Sequence, residues 1–98
     1  MMISSKNNGC INEIINDSNC FIVMNKCEND ILSKIMYGII VNVDKKLDGL
    51  VPIVINDEKS FTTGTPELLY YRNQKLVGSL KGIRQVSEII KFINKMNL

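Results

Sequence analysis

The last third of the chain has the clearest alternation of apolar and polar residues. Two apolar-rich stretches, residues 67–71 and 76–80, are separated by the polar residues 72–75, and this pattern predicts a β-hairpin. Apolar side chains then recur at helical spacing over residues 85–96. The residues on that apolar face are Val86, Ile89, Ile90 and Ile93. This part of the chain is therefore predicted to be a hairpin followed directly by a helix.

The first half predicts strands that alternate with helices. Residues 1–5 could form a short edge strand, and the apolar residues within 11–15 have the spacing of a short helix. Residues 20–24 are a compact apolar run that predicts a buried strand. Residues 51–55 predict another strand, which Pro52 would place at or near a sheet edge because proline donates no ladder hydrogen bond.

The segment 31–48 has two interpretations. Apolar residues every fourth position from Ile31 favour one long helix, and Gly49 is suited to end it. Residues 39–43, however, are rich in β-branched side chains and alternate as a strand would. Gly38 also costs a helix about 1 kcal/mol relative to alanine. We favour the helix. The resulting order, β-α-β-α-β-β-α, predicts an α/β fold with a mixed sheet of four or five strands and helices on both faces.

The composition of the chain excludes some classes of function but does not identify one. The 98 residues are expected to form a single domain, 1–98, and 45% hydrophobic residues suffice for one core. A net charge of +2 without a basic stripe argues against nucleic-acid binding. The sequence shows neither an apolar run of membrane-spanning length nor a secretory signal, so we expect a cytoplasmic protein that does not bind membranes.

The residue types present exclude several kinds of catalysis. The chain has no histidine, so it cannot form a Ser-His or Cys-His pair. Its three cysteines, Cys10, Cys20 and Cys27, lack the Cys-x-x-Cys spacing of zinc ribbons and dithiol redox sites. An odd number of cysteines in a reducing compartment indicates free thiols. We therefore predict no metal site and no cofactor.

The stretch around Thr65–Pro66 carries a family resemblance. Gly64-Thr65-Pro66 is followed by an apolar strand, a hairpin, a strand that ends at Gly82, and the last helix. This order resembles the C-terminal half of a thioredoxin-fold domain, and the resemblance extends in weaker form over most of the chain. It implies a thioredoxin-like fold and a cis peptide bond before Pro66. In that family the cis-proline faces the redox cysteine, and the backbone before it pairs with an extended client segment, as in strand addition.

The same resemblance places Cys27 where the family has its first active-site cysteine. Lys26 precedes it, and Asp30 takes the place of the second cysteine. Dithiol exchange needs a second thiol to release the mixed disulfide, and an aspartate cannot do this. Glu28 and Asp30 also put negative charge near Cys27, which disfavours the thiolate. An incidental cysteine in a solvent-facing turn is the plainer interpretation of Cys27.

We therefore expect a divergent, redox-degenerate thioredoxin-like protein that binds a protein partner or client. The binding surface would contain Lys26, Cys27, Asp30, Gly64, Thr65 and Pro66. Chemistry would be limited to a single thiol at Cys27, resolved by glutathione or another external thiol. One alternative is a true enzyme, a monothiol thiol-disulfide oxidoreductase acting in cell redox homeostasis by that route. A second alternative is a structural subunit that packs through a sheet edge or a helix.

Overall fold

The computed structural model describes residues 2–4, 16, 19–27, 30–56 and 65–96. Five strands and two long helices lie within these ranges. The strands are β1 (Met2–Ser4), β2 (Cys20–Asn25), β3 (Ile53–Asn56), β4 (Glu67–Arg72) and β5 (Lys75–Lys81). The helices are α1 (Asp30–Lys46) and α2 (Val86–Met96). The short helix predicted within 11–15 lies outside the described residues.

The described strands form one mixed sheet in the order β1-β3-β2-β4-β5. β3 runs parallel to β1 and β2, whereas β4 runs antiparallel to both β2 and β5. The predicted α/β class with a mixed sheet of four or five strands is thus confirmed. β1 is an edge strand, as predicted from residues 1–5.

α1 resolves the ambiguity of residues 31–48 in favour of the helix. It runs without interruption through the β-branched residues 39–43. Met36, Ile40 and Val43 become fully buried along its inner face, and burial of about 1.5–3 kcal/mol per large apolar side chain outweighs the cost of Gly38. The helix then ends in a left-handed turn, in which the Gly49 amide donates to the Asp44 carbonyl at 3.2 Å.

Both α1 and α2 pack on the same face of the sheet and contact each other. Because side chains alternate between the two faces of a strand, this face is made of every second residue of β2, β3 and β4. Its core residues are Ile22, Met24, Ile53, Ile55, Leu68 and Tyr70 on the strands, with Met36, Ile40, Val43, Ile89 and Ile93 on the helices. On the opposite face, the rings of Phe21 and Tyr71 stack at 4.8 Å. The prediction of helices on both faces involves residues 11–15 and is not tested by the described helices.

The strand after Pro52 lies next to the sheet edge but is not itself the edge strand, so of the predicted positions at or near the edge the second is the one observed. β3 pairs on both sides, with the edge strand β1 and with the central strand β2. Pro52 lies just before β3, and its carbonyl accepts a hydrogen bond from the Ile22 amide at 2.9 Å. A residue that contributes only its acceptor needs no N–H, so proline is tolerated in this interior position.

The β4–β5 hairpin agrees with its prediction, and its turn is tight. The strands extend to Arg72 and from Lys75, which leaves two turn residues, Asn73 and Gln74. Both have positive φ, 51° and 65°. This is the pattern of a type I′ turn, which is favoured in two-residue hairpins because its twist matches that of the flanking strands. After β5 the chain turns at Gly82, where φ is +84°, and the Gly82 amide donates to the Pro66 carbonyl at 2.7 Å.

Candidate functional site

The candidate site lies at one end of the sheet, and strand register brings its two parts together. Asn25, the last residue of β2, pairs with Glu67, the first residue of β4. Because these strands are antiparallel, the residues after Asn25 and those before Glu67 leave the sheet at the same end. Lys26–Cys27 and Thr65–Pro66 are therefore neighbouring segments, although they are distant in sequence.

The carboxyl end of β3 belongs to the same end of the sheet. The Lys26 amide donates to the Asn56 carbonyl at 3.3 Å, which extends the β2–β3 pairing by one residue. Beside this bond, the Asn56 side-chain amide donates to the Asn25 side-chain oxygen at 2.9 Å. Asn25 is buried, and this bond satisfies its carbonyl oxygen as a buried polar group requires. The pair fixes the backbone from which Lys26 and Cys27 continue.

Cys27 is buried, with 7% of its surface exposed. The interpretation of Cys27 as an incidental cysteine in a solvent-facing turn is therefore wrong in one respect, because Cys27 does not face solvent. Cys27 contacts Ser33 on the first turn of α1, which is itself buried. The Cys27 amide donates to the Ser33 hydroxyl at 3.1 Å, and the Ser33 hydroxyl lies 3.3 Å from the Cys27 carbonyl, to which it donates. The Cys27 sulfur also lies 3.4 Å from the Ser33 hydroxyl. Ser33 thus holds the β2–α1 turn through hydrogen bonds to the main chain of Cys27, and its hydroxyl also contacts the Cys27 thiol.

Thr65 and Pro66 differ in exposure. Thr65 is exposed, whereas the Pro66 ring is less than 2% exposed and its carbonyl is bonded to Gly82. The predicted cis peptide bond is wrong: no peptide bond among the described residues is cis, and these residues include Thr65 and Pro66. The trans isomer of an X-Pro bond is favoured by about 0.5–1 kcal/mol. In this form the Pro66 ring is buried and its carbonyl accepts the hydrogen bond from Gly82.

The remaining predicted site residues are placed as follows. Asp30 is the first residue of α1, close in sequence to Cys27. Lys26 is half-buried at the end of β2. Gly64 lies outside the described residues, as do Cys10 and Glu28. Cys20 and Cys27 do not form disulfide bonds.

A pocket that sequence reasoning missed opens beside this turn. It has a volume of about 280 Å³, and the described residues that line it are Lys26, Ser33, Lys34 and Tyr37. Ser33, Lys34 and Tyr37 lie on the first two turns of α1, and Lys26 faces them from the end of β2. Their spacing on α1 marks one flank of a helix. Lys26 joins them only through the fold of the turn, so no sequence signal could have predicted these four residues together.

Comparison with solved structures identifies the fold. The chain is similar in structure to the reduced thioredoxin pre-protein of Schistosoma mansoni, with a TM-score of 0.74, 14% identity, and 97% of each chain covered. It is also similar to a Plasmodium falciparum thioredoxin, with a TM-score of 0.69, 22% identity, and coverage of 97% of this chain and 98% of that one. A thioredoxin-like protein from Bacillus cereus gives a TM-score of 0.64, 18% identity, and coverage of 87% of this chain and 96% of that one.

These likenesses extend over nearly the whole chain, and they show that it has the thioredoxin fold. The resemblance stated from the sequence is thereby confirmed at the level of fold. No protein-family model matches the chain, and no curated protein matches its sequence. In the parts of the chain that the structure describes, no helix has the length and apolar character to cross a membrane.

Proposed function

We propose that this protein is a redox-degenerate member of the thioredoxin fold that binds an extended segment of a protein partner. The binding surface would consist of Lys26, Cys27, Asp30, Gly64, Thr65 and Pro66. The observation that carries the proposal is the pairing of Asn25 with Glu67, because it brings Lys26–Cys27 and Thr65–Pro66 to one end of the sheet.

The segments Thr65–Pro66 and Lys26–Cys27 would make different contributions to binding. Pro66 is anchored by burial and by the bond from Gly82, so the backbone just before it is held in a defined direction. Thr65 is exposed at this point and would offer its backbone to an extended segment. Lys26 would add a cation at the rim, and cations at a rim favour the approach of acidic partners.

Thiol chemistry is secondary in this proposal. Attack on a disulfide requires an accessible thiolate, and Cys27 is buried against Ser33. The monothiol route would need the β2–α1 turn to open before the sulfur could react, and an external thiol would then have to resolve the adduct. We also propose a cytoplasmic location, because cysteines that form no disulfide, such as Cys20 and Cys27, are typical of reducing compartments.

A capture experiment with matched variants tests the binding surface. The full chain is immobilised and exposed to extract from its source cells, and retained proteins are quantified for wild type, Thr65→Arg, Asn94→Arg and Cys27→Ser. Thr65→Arg and Asn94→Arg add the same side chain at exposed positions. Asn94 lies near the carboxyl end of α2, where the Met96 carbonyl accepts from Arg72 at the other end of β4. Circular dichroism confirms that each variant is folded. We expect one set of proteins to be retained by all forms except Thr65→Arg, with a loss of about tenfold, equivalent to 1.4 kcal/mol.

Two outcomes would overturn this proposal. If Thr65→Arg retains the same proteins as wild type, the surface before Pro66 does not bind a partner. If retention requires Cys27 and dithiothreitol releases the proteins, covalent thiol chemistry replaces binding as the function. Insulin reduction by dithiothreitol gives an independent check on the second outcome: we expect wild type and Cys27→Ser to give equal rates.

A further inference from the structure

The pocket lined by Lys26, Ser33, Lys34 and Tyr37 is a candidate binding site for a small molecule. We propose that it binds a small organic anion, with a phosphate or carboxylate head group on a short apolar body. This site is distinct from the proposed partner surface, because its described lining includes neither Thr65 nor Cys27. Among the described lining residues Lys26 is common to both, so substitution of Lys34 tests the pocket alone.

The charges of the lining select an anion. Lys26, just after β2, and Lys34, on α1, both line the cavity, so their ammonium groups can reach a ligand there, and none of the described lining residues is acidic. Ser33 and Lys34 also lie near the amino end of α1, where the helix carries partial positive charge. Hydrogen bonds from an ammonium group to a phosphate or carboxylate are about twice as strong as those between neutral groups.

The shape of the lining selects a small ligand with an apolar part. The volume of about 280 Å³ lies just below the usual range for ligand pockets, about 300–1,000 Å³. Its wall is mostly apolar, as expected where lysine methylene stems and a tyrosine ring are available to line it. Tyr37 is 44% exposed and lines the pocket, so a flat or short aliphatic group can reach its side chain from the cavity.

The pocket wall is also held in place before a ligand binds. Ser33 is buried and bonded to the Cys27 amide and carbonyl, which fixes the turn that carries Lys26 relative to α1. A preformed site does not have to order its own lining when the ligand arrives, and this lowers the entropic cost of binding.

Nuclear magnetic resonance of the ¹⁵N-labelled full chain tests the proposal with phenyl phosphate as the probe. We expect saturable shifts at the amides of Lys26, Ser33, Lys34 and Tyr37. Benzoate, inorganic phosphate and benzyl alcohol separate the contributions of the carboxylate head, the phosphate head and the apolar body. Inorganic phosphate and benzyl alcohol should each bind more weakly than phenyl phosphate, because each supplies only one half of the interaction. Higher salt should weaken binding of the anions and leave benzyl alcohol unaffected.

Variants decide whether the pocket is the site. Lys34→Gln should weaken phenyl phosphate binding about tenfold, equivalent to 1.4 kcal/mol, whereas Lys91→Gln removes an exposed lysine from α2 and should leave affinity unchanged. Tyr37→Ala should weaken phenyl phosphate more than inorganic phosphate. The proposal is overturned if phenyl phosphate does not saturate in the millimolar range, or if Lys91→Gln weakens it as much as Lys34→Gln does. Loss of partner capture in Thr65→Arg would leave these results unchanged, so the two proposals can fail separately.

Discussion

Two regions of this molecule are held together in different ways. The hairpin–α2 region, residues 67–96, is stabilised by apolar contacts: Tyr70 is fully buried with its ring edge against Phe92, and Phe92 and Met96 lie close over Gly78. The turn–α1 region, residues 26–46, buries apolar side chains on α1, but the turn itself is held by the hydrogen bonds of Ser33 to Cys27. The difference suggests that the scaffold depends on packing, whereas the candidate site depends on a few polar contacts.

Each region contains a tyrosine, a serine and a glycine in contrasting surroundings. Tyr70, Ser87 and Gly78 belong to the hairpin–α2 region, and Tyr37, Ser33 and Gly38 belong to the turn–α1 region. Substitution by alanine within each pair therefore compares the two regions with the chemistry held constant.

The tyrosine pair should give the largest effect. Tyr70→Ala removes a fully buried ring that contacts Phe92 at 6.3 Å between centroids, and loss of a buried aromatic ring costs about 3–5 kcal/mol. Tyr37→Ala removes a side chain that is 44% exposed, and surface changes usually stay within about 0.5 kcal/mol. Urea denaturation followed by circular dichroism measures both. Equal destabilisation by the two variants would show that packing is not concentrated in the hairpin–α2 region.

The serine pair should reverse the order of the two regions. Ser33→Ala leaves the buried Cys27 amide without its 3.1 Å acceptor, and an unsatisfied buried donor costs about 1–3 kcal/mol. Ser87→Ala changes an exposed position on α2, where alanine is the better helix former, so stability should stay within about 0.5 kcal/mol or rise.

Alkylation by iodoacetamide, mapped by mass spectrometry, checks the same bonds at the site. Cys27 should react faster in Ser33→Ala than in wild type, because the turn that covers its sulfur opens more often. Cys20 is the internal control, and its rate should not change. A variant that loses no stability and leaves the reactivity of Cys27 as it was would show that Ser33 does not hold the turn closed.

The hairpin–α2 region was also the more predictable one, for a physical reason. Its hairpin, its last helix and the glycine that ends β5 depend on contacts between residues close in sequence, which local patterns record. The long helix α1 and strand β2 followed from pattern as well. The pocket, the bonds from Ser33 to Cys27 and the interior position of β3 depend on partners brought together by the fold. The cis bond was inferred from resemblance to a family, and this chain does not carry it.

The glycine pair should give net effects smaller than that of Tyr70→Ala, and the two effects should have opposite signs. A Cβ built at Gly78 lies 2.9 Å from the Met96 sulfur and 3.0 Å from the Phe92 ring. α2 would have to shift or its side chains rotate, and such overpacking costs about 1–3 kcal/mol. Gly78→Ala should therefore destabilise, with part of the cost offset because alanine has less freedom to lose in the unfolded chain. Gly38 lies in the interior of α1 with nothing within 4 Å of a built Cβ, so Gly38→Ala should stabilise by up to about 1 kcal/mol.

The measurement is again urea denaturation, with the double variant Gly78→Ala/Met96→Ala as the decisive control. Shortening Met96 removes the nearest obstructing atom, so the added methyl group at Gly78 should cost less in the Met96→Ala background than in wild type. This comparison is a double-mutant cycle, and the two side chains are in direct contact, so a coupling of about 0.5 kcal/mol or more is expected. If the two substitutions are additive, α2 does not rest on Gly78, and the close packing assigned to the hairpin–α2 region is wrong.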